Sequence, residues 1–106
     1  MFVNYTTLII PTRNRSKLVN NLLTFFDKKN IKFNQFLIID SSNDKKNYKY
    51  SLIKKLNVRI VNSLPSTAGQ RNLGLNLLKR DSKYVLFLDD DIIFYKNSFL
   101  YMDKVI

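Results

Sequence analysis

Apolar residues along this chain follow two alternating patterns, one typical of strands and one typical of helices. Four short runs are rich in aliphatic and β-branched residues, as buried strands are: TTLII (6–10), FLIID (36–40), VRIV (58–61) and YVLFL (84–88). Between these runs, apolar residues recur every three or four positions, which predicts helices over 16–28, 47–56 and 67–79. We expect Pro11 to end the first strand and Asn14 or Ser16 to cap the first helix.

This βαβαβαβ order predicts an α/β fold with a mainly parallel sheet of about four strands and helices on both faces. All strands of such a sheet point the same way, so the segments that follow them meet at the carboxyl edge, where open α/β sheets bind their ligands. The segments are PTRNR (11–15), DSSND (40–44), NSLPST (62–67) and DDD (89–91). The polar chemistry of the chain is therefore predicted to lie at one edge.

The composition limits the chemistry that this edge can carry. With 106 residues, of which 45% are hydrophobic, the chain is expected to form one small domain. Cysteine and histidine are absent, so disulfides are excluded and any bound metal must be held by oxygen atoms. The formal charge of +10 favours anionic partners: phosphorylated small molecules, nucleic acid or anionic lipid. The N-terminal residues match neither a signal peptide nor a membrane span, so we expect a cytoplasmic protein, including at the inner face of the membrane.

Three consecutive aspartates, Asp89, Asp90 and Asp91, follow the fourth apolar run. Adjacent carboxylates repel one another, and in an extended chain Asp89 and Asp91 point to one side while Asp90 points to the other. A divalent cation relieves this repulsion, and carboxylates without histidine or cysteine suit Mg²⁺ or Mn²⁺. The alternative is a capping cluster, since aspartate is common where turns begin. The triplet favours a metal site that bridges a diphosphate.

The segment STAGQRNLGLN (66–76) opens the third helix with small residues. Ser66 and Gly69 allow a ligand close to the backbone, and the first turn of a helix offers N–H groups to an anion. Arg71 lies in this turn, where a cation opposes the helix dipole, so a phosphate partner explains it better than helix stability does. An ordinary surface arginine, with Gly74 marking close helix packing, is the alternative. Walker and GxGxxG motifs do not occur in the sequence.

Four segments in this order, IIPTRNR, LIIDSSND, AGQRNLGLN and FLDDD, resemble the inverting family-2 glycosyltransferases. The resemblance covers residues 6–95 and is to the N-terminal, nucleotide-sugar-binding half of the GT-A fold, a three-layer Rossmann-like α/β structure. It implies a nucleoside-diphosphate sugar as donor, first of all a UDP-sugar, and Mn²⁺ or Mg²⁺ as cofactor. The sugar would be transferred by in-line displacement at the anomeric carbon to a glycan or lipid-linked acceptor.

The resemblance assigns eight side chains to the donor site. Those expected to bind the nucleotide are Pro11, Thr12, Arg13, Asp40, Arg71, Asp89 and Asp90, and those expected to bind the metal are Asp89 and Asp91. The loop after the first strand and the aspartate after the second would hold base and ribose, and the helix arginine would approach the diphosphate. In the DxD motif, the first aspartate would also contact ribose and the middle one would lie near the donor sugar. Arg13 stands where the family often has an aromatic residue.

The chain is short for this family. The family's general base lies in an acceptor-binding half well downstream of the DxD motif, and only 15 residues follow Asp91 here. We therefore expect residues 1–106 to form a single truncated donor-binding domain that lacks the acceptor half and the catalytic base. The residues after Asp91 are expected to form a turn and a helix, with Asp103 on the surface.

Two other classes of function remain open. A nucleic-acid-binding module would use the positive charge on phosphates, but the aspartates would obstruct that path and the basic residues form no clustered stripe, so nucleic acid is the less favoured partner. A non-catalytic interaction module would expose a sheet edge and apolar surface, and would associate there with itself or with another chain. Salt-dependent DNA binding would favour the first alternative, and sedimentation as an oligomer the second.

Overall fold

Four strands and three α-helices make up the computed structural model, which describes residues 2–44 and 46–92. In chain order the elements are a 3₁₀ turn (Phe2–Tyr5), β1 (Thr6–Thr12), α1 (Ser16–Lys28), β2 (Gln35–Asp40), α2 (Tyr50–Lys55), β3 (Val58–Asn62), α3 (Thr67–Asn76) and β4 (Tyr84–Phe87). The alternation of strands and helices predicted from the sequence is confirmed. The helix expected downstream of Asp91, with Asp103, lies outside the described residues.

All four strands pair in parallel, in the order β3-β2-β1-β4. Two crossovers, β1 to β2 and β2 to β3, extend the sheet in one direction, and the third returns to place β4 on the other side of β1. The central strands β1 and β2 are buried along nearly their whole length, as their continuous apolar runs predict. The three-layer α/β fold class expected from the sequence is confirmed.

β1 continues through Pro11 to Thr12, so the expectation that Pro11 ends this strand is wrong. On one side β1 pairs with β2 as far as Thr12, which lies opposite Asp40, whereas its pairing with β4 stops at Ile9. The carbonyl of Ile9 accepts from Leu88 N on the β4 side, and the backbone groups of alternate residues point to the same side. The nitrogen of Pro11 therefore points toward the β4 side of β1, beyond the point where the pairing with β4 stops. No β4 carbonyl needs an N–H donor there, so proline is tolerated within the strand.

Helices cover both faces of the sheet. On one face, α1 and α2 pack on a core that includes Leu8, Ile10 and Phe36. On the other face, α3 packs against Ile9 and its neighbours on β2. At Gly74 an added Cβ would lie 2.8 Å from Cγ2 of Ile9, so the missing side chain allows α3 to lie close to the strand. This confirms the interpretation of Gly74 as a site of close helix packing.

β4 is an edge strand whose face on the α3 side is partly uncovered. Val85 and Phe87 lie opposite Thr7 and Ile9, on the same side of the sheet as α3, yet they are 37% and 36% exposed. The reason is the position of α3, which packs over β1 and β2. Self-association through this surface stays a prediction.

The ends of the helices depart from the sequence expectations. Arg15 is the N-cap of α1 and makes no side-chain capping bond, so the capping role expected of Asn14 or Ser16 is wrong. Asn14 instead has a left-handed backbone, with φ of 55°, and its side chain binds Asn43 and the backbone of Asp44 in the loop after β2. α2 and α3 are also shorter than predicted. Within the described part of the chain, no helix has the length and apolar character needed to cross a membrane.

Candidate functional site

A cleft of about 440 Å³ opens at the carboxyl edge of the sheet, between the ends of β1 and β4. The strand order reverses at this point, since β1 leads to α1 on one face and β4 follows α3 on the other. Open α/β sheets bind ligands at such a switch point, in the crevice outside the carboxyl ends of the strands. The cleft is lined by Pro11, Thr12, Arg13, Arg15, Gln70, Arg71, Asp89, Asp90 and Asp91. Seven of the eight side chains that the sequence predicts for the donor site therefore lie together.

The three aspartates of the cleft alternate in exposure. Asp89 and Asp91 are exposed, whereas Asp90 is only 6% exposed. Oδ2 of Asp90 accepts a hydrogen bond from the Thr12 hydroxyl at 2.7 Å, and Oδ1 accepts from Arg15 Nη1 at 3.1 Å. Asp90 thus ties the segment after β4 to the end of β1. Both of its carboxylate oxygens have partners inside the protein, and its two neighbours are left to face a ligand.

Asp90→Ala is expected to lower the free energy of unfolding by about 2 kcal/mol, because it leaves the buried Thr12 hydroxyl without its acceptor. Loss of the ion pair adds little, since the Arg15 side chain is 54% exposed. Urea unfolding followed by circular dichroism measures the change. Asp91→Ala, the same substitution at the exposed neighbour, is the control and should change stability by less than about 0.5 kcal/mol. An equal loss in both variants would show that the internal bonds of Asp90 are not what stabilises this edge.

Arg71 reaches the cleft from the first half of α3. Ser66 caps this helix by accepting the Gly69 N–H at 3.1 Å, so one backbone donor expected to serve an anion is already bound. The guanidinium carbon of Arg71 lies 5.7 Å from the centre of the Phe87 ring, a cation–π contact. No carboxylate among residues 2–44 and 46–92 forms an ion pair with Arg71. Its charge is therefore available to an anion in the cleft.

Gln70 and Arg15 line the cleft but are not among the predicted site residues. Gln70 is 6% exposed, and its Nε2 donates to the carbonyl oxygens of Thr12 at 3.1 Å and Ile39 at 2.8 Å. It thereby joins the ends of β1 and β2 under the cleft. A glutamine inside a helix carries no sequence signal of such a role. For Arg15 a signal existed, because it belongs to a strand-following segment that was expected at the same edge as the aspartates.

Asp40 does not line this cleft. It is 1% exposed, and its carboxylate accepts hydrogen bonds from Ser42 N at 2.7 Å, from the Ser42 hydroxyl, and from the Tyr48 hydroxyl at 2.6 Å. Burial raises the pKa of Tyr48 and the bond to Asp40 raises that pKa further, so the tyrosine stays protonated as a donor. Asp40 organises the loop after β2 through these bonds, and its contact with a nucleoside stays a prediction.

The rim of the cleft carries both positive and negative side chains that form no ion pairs with one another. Once Arg15 and Asp90 are paired with each other, the exposed charged residues of the lining are Arg13, Arg71, Asp89 and Asp91. In the part of the chain that the structure describes, no group of three or more metal-ligating side chains could hold an ion by itself. Mg²⁺ does not require such a group, because it is usually held by one or two carboxylates together with substrate phosphates and water. The two exposed aspartates fit that set of ligands.

No protein-family model matches this chain, and neither does any curated protein. Among solved structures, the crystal structure of S. aureus TarS matches 81% of this chain at 22% sequence identity, with a TM-score of 0.56. The matched region is 16% of the TarS chain, so this chain spans a small part of TarS. At this identity the likeness shows a shared fold, a Rossmann-like α/β structure with a parallel sheet.

Proposed function

We propose that this chain binds a nucleoside-diphosphate sugar, in the first place a UDP-sugar, together with Mn²⁺ or Mg²⁺, as the donor-binding part of an inverting glycosyltransferase similar to family 2. The observation that carries the proposal is the pair of exposed arginines beside a pair of exposed aspartates in one cleft at the switch point of the sheet. A metal-bound diphosphate would be a partner for both the acidic and the basic side chains, because the cation would bind the carboxylates and the phosphate oxygens would bind the arginines.

In this proposal the rim of the cleft is the site of the metal ion and the diphosphate. Asp89 and Asp91, the first and last residues of the DxD motif, line the cleft and would hold the ion. When bound, the ion neutralises charge on the departing diphosphate. Arg71 binds the diphosphate from α3, with its guanidinium resting on Phe87. Arg13 adds a second cation from the loop after β1.

The base and ribose are assigned to the loops after β1 and β2. Pro11 and Thr12 line the cleft and form its wall on the nucleoside side. The Thr12 hydroxyl is bound to Asp90, which positions the β1 loop and lies nearest the donor sugar. Asp40 would reach the nucleoside only if the loop after β2 moved, because its oxygens are bound to Ser42 and Tyr48.

The reaction that follows is displacement at the anomeric carbon with inversion of configuration. The bond from that carbon to the diphosphate oxygen breaks, and a bond to an acceptor hydroxyl oxygen forms as the hydroxyl loses its proton to a general base. Negative charge grows on the diphosphate, next to Arg71, which stabilises it. A glycan or lipid-linked acceptor belongs to this proposal, and no described residue is assigned as the base.

Arg71→Gln should weaken UDP binding by about 10- to 100-fold and leave uridine binding unchanged, because a hydrogen bond to a charged group contributes about 1.5–3 kcal/mol. Ligand-detected NMR titrations with UDP and with uridine, both in Mg²⁺, separate the diphosphate from the nucleoside. Arg80→Gln removes the same charge from an exposed residue outside the cleft and is the control. A loss of the same size for UDP and uridine would mean that Arg71 acts on the fold and not on the diphosphate.

A further inference from the structure

Eight exposed basic side chains lie at the amino edge of the sheet, opposite the cleft. They come from the helix ends and the loops that lead into β2, β3 and β4, and they are Lys28, Lys29, Lys32, Lys54, Lys55, Lys79, Arg80 and Lys83. The acidic residues of the same segments are Asp27 and Asp81. Eight basic against two acidic residues leave six net positive charges at one edge, out of the formal +10 of the whole chain.

The carboxyl edge carries no such excess. Its described charged residues are six basic ones, Arg13, Arg15, Lys17, Lys46, Lys49 and Arg71, and five acidic ones, Asp40, Asp44, Asp89, Asp90 and Asp91, a net charge of +1. The two edges of one sheet therefore differ by five net charges. The basic residues form no stripe along the sequence, and it is the parallel topology that gathers them at one edge.

Ion pairs and helix dipoles do not account for this excess. Asp27 is bound to Lys55 at 2.8 Å, and Asp81 accepts a hydrogen bond from Asn34, so both acids already have partners. A helix dipole favours lysine in the last helical turn, which explains the three basic residues inside α1 and α2. The effect fades beyond the last turn and does not explain the five that follow the helix ends.

Basic residues from different segments adjoin at this edge. A depression of about 180 Å³ is lined by both Lys32 and Lys55, and another of about 200 Å³ is lined by Lys79 together with Arg59, a further basic residue near the start of β3. The Asn34 side chain, just before β2, also donates hydrogen bonds to the loop before β4. Neighbouring strands lie about 4.8 Å apart, so a four-stranded sheet spreads these charges over a width of roughly 15–20 Å.

We propose that this basic amino edge docks on the surface of an anionic lipid bilayer. Each Lys or Arg close to such a surface is attracted by about 1 kcal/mol. Two tyrosines at the same edge, Tyr5 and Tyr84, are 48% and 42% exposed, and tyrosine is favoured at the headgroup level of membranes. Lys83 Nζ lies 4.8 Å from the centre of the Tyr5 ring, so the aromatic and basic groups adjoin.

A bilayer fits this surface better than a nucleic-acid strand does. Proteins that bind single strands follow the backbone with a basic groove and stack the bases on aromatic rings along it. Here the charges come from three loops side by side, and the depressions among them are small. The docking proposal is independent of the donor site. If both hold, the cleft faces away from the bilayer, since it lies at the opposite edge of the sheet.

Co-sedimentation of the full chain with lipid vesicles tests this docking. We expect binding to vesicles of phosphatidylcholine mixed with phosphatidylglycerol, weakened by salt, and at least about tenfold weaker binding to phosphatidylcholine alone. Two double variants, Lys29→Gln with Lys32→Gln and Lys79→Gln with Arg80→Gln, should each weaken binding to the mixed vesicles by about tenfold or more. Circular dichroism checks that both variants remain folded.

The matched control removes two charges away from the amino edge, by Lys17→Gln with Lys49→Gln, and should change vesicle binding by less than about threefold. If the control lost as much vesicle binding as the two double variants, net charge alone would explain the binding, and the proposal of a specific docking surface would be wrong. Failure to bind the mixed vesicles would do the same. Tighter binding to single-stranded RNA than to vesicles, lost in the same two variants, would reassign the surface to nucleic acid. UDP binding should be unchanged in every variant, which separates this proposal from the donor site.

Discussion

Gly74→Ala is expected to lower the free energy of unfolding by about 1–3 kcal/mol, and Gly74→Val by more. An added Cβ would lie 2.8 Å from Cγ2 and 2.9 Å from Cδ1 of Ile9, a fully buried residue of the central strand. Cγ2 is fixed to the branched β-carbon, so it cannot turn away without a change of rotamer in a closely packed core. Either α3 must move off the sheet or Ile9 must take a strained position. Denaturant unfolding measures the loss.

Gly69→Ala is the matched control, because it makes the same substitution in the same helix. Its Cβ would meet only the side chain of Ser66, at 3.2 Å, on the exposed surface. Alanine favours a helix by up to about 1 kcal/mol over glycine, so this variant should be neutral or slightly stabilised. If Gly74→Ala were as stable as Gly69→Ala, the close packing of α3 on Ile9 would be refuted, and with it the placement of Arg71 at the cleft.

Replacing both exposed aspartates of the triplet, by Asp89→Asn and Asp91→Asn, is expected to remove Mn²⁺ binding in the presence of UDP. Even mutation of outer-shell partners of metal ligands lowers metal affinity by about 10- to 100-fold, so the loss of both carboxylate ligands should weaken Mn²⁺ binding by about 100-fold or more. Electron paramagnetic resonance of free Mn²⁺ measures this directly. Asparagine keeps the shape of the side chain, and the change therefore tests charge alone.

Asp81→Asn is the control for the double variant, since Asp81 is exposed and lies at the opposite edge of the sheet. It should leave Mn²⁺ binding unchanged, whereas Asp89→Asn and Asp91→Asn taken singly should each weaken it. If the double variant bound Mn²⁺ with the wild-type affinity, the metal would bind elsewhere, and the proposal that Asp89 and Asp91 hold it would be wrong.

The parallel sheet and the polar edge could be predicted from sequence because both depend on the apolar pattern, whereas the strand order β3-β2-β1-β4 depends on contacts that this pattern does not specify. Runs such as FLIID are apolar on both sides and can be buried only in a sheet that is covered on both faces. A parallel sheet then brings every strand-following segment to one edge, which is why seven of the expected side chains meet in the cleft. The alternating exposure of Asp89, Asp90 and Asp91 matches the expectation for an extended chain, but its cause is different, because β4 ends at Phe87 and Asp90 and Asp91 lie in a turn in which Ile92 N donates to the carbonyl oxygen of Asp89.

The remaining features depend on contacts between residues far apart in the chain. Nothing local in the sequence marks Asp90 and Asp40 as buried, and only their bonds to Thr12 and Tyr48 account for it. Thr12 precedes Asp90 by 78 residues, a separation at which local patterns carry no information. The continuation of β1 through Pro11 depends on where β4 ends, which is set by the pairing register of two strands.

Calorimetric titration of the chain with UDP, in Mn²⁺ and again after chelation of the metal, tests the donor site most directly. The proposed function predicts binding in Mn²⁺ that becomes at least about tenfold weaker without it, because the ion would be held by the exposed aspartates together with phosphate oxygens of the ligand. GDP under the same conditions shows which base the site prefers. A folded chain that bound neither nucleotide in Mn²⁺, or bound UDP equally well with and without the metal, would contradict the proposed function.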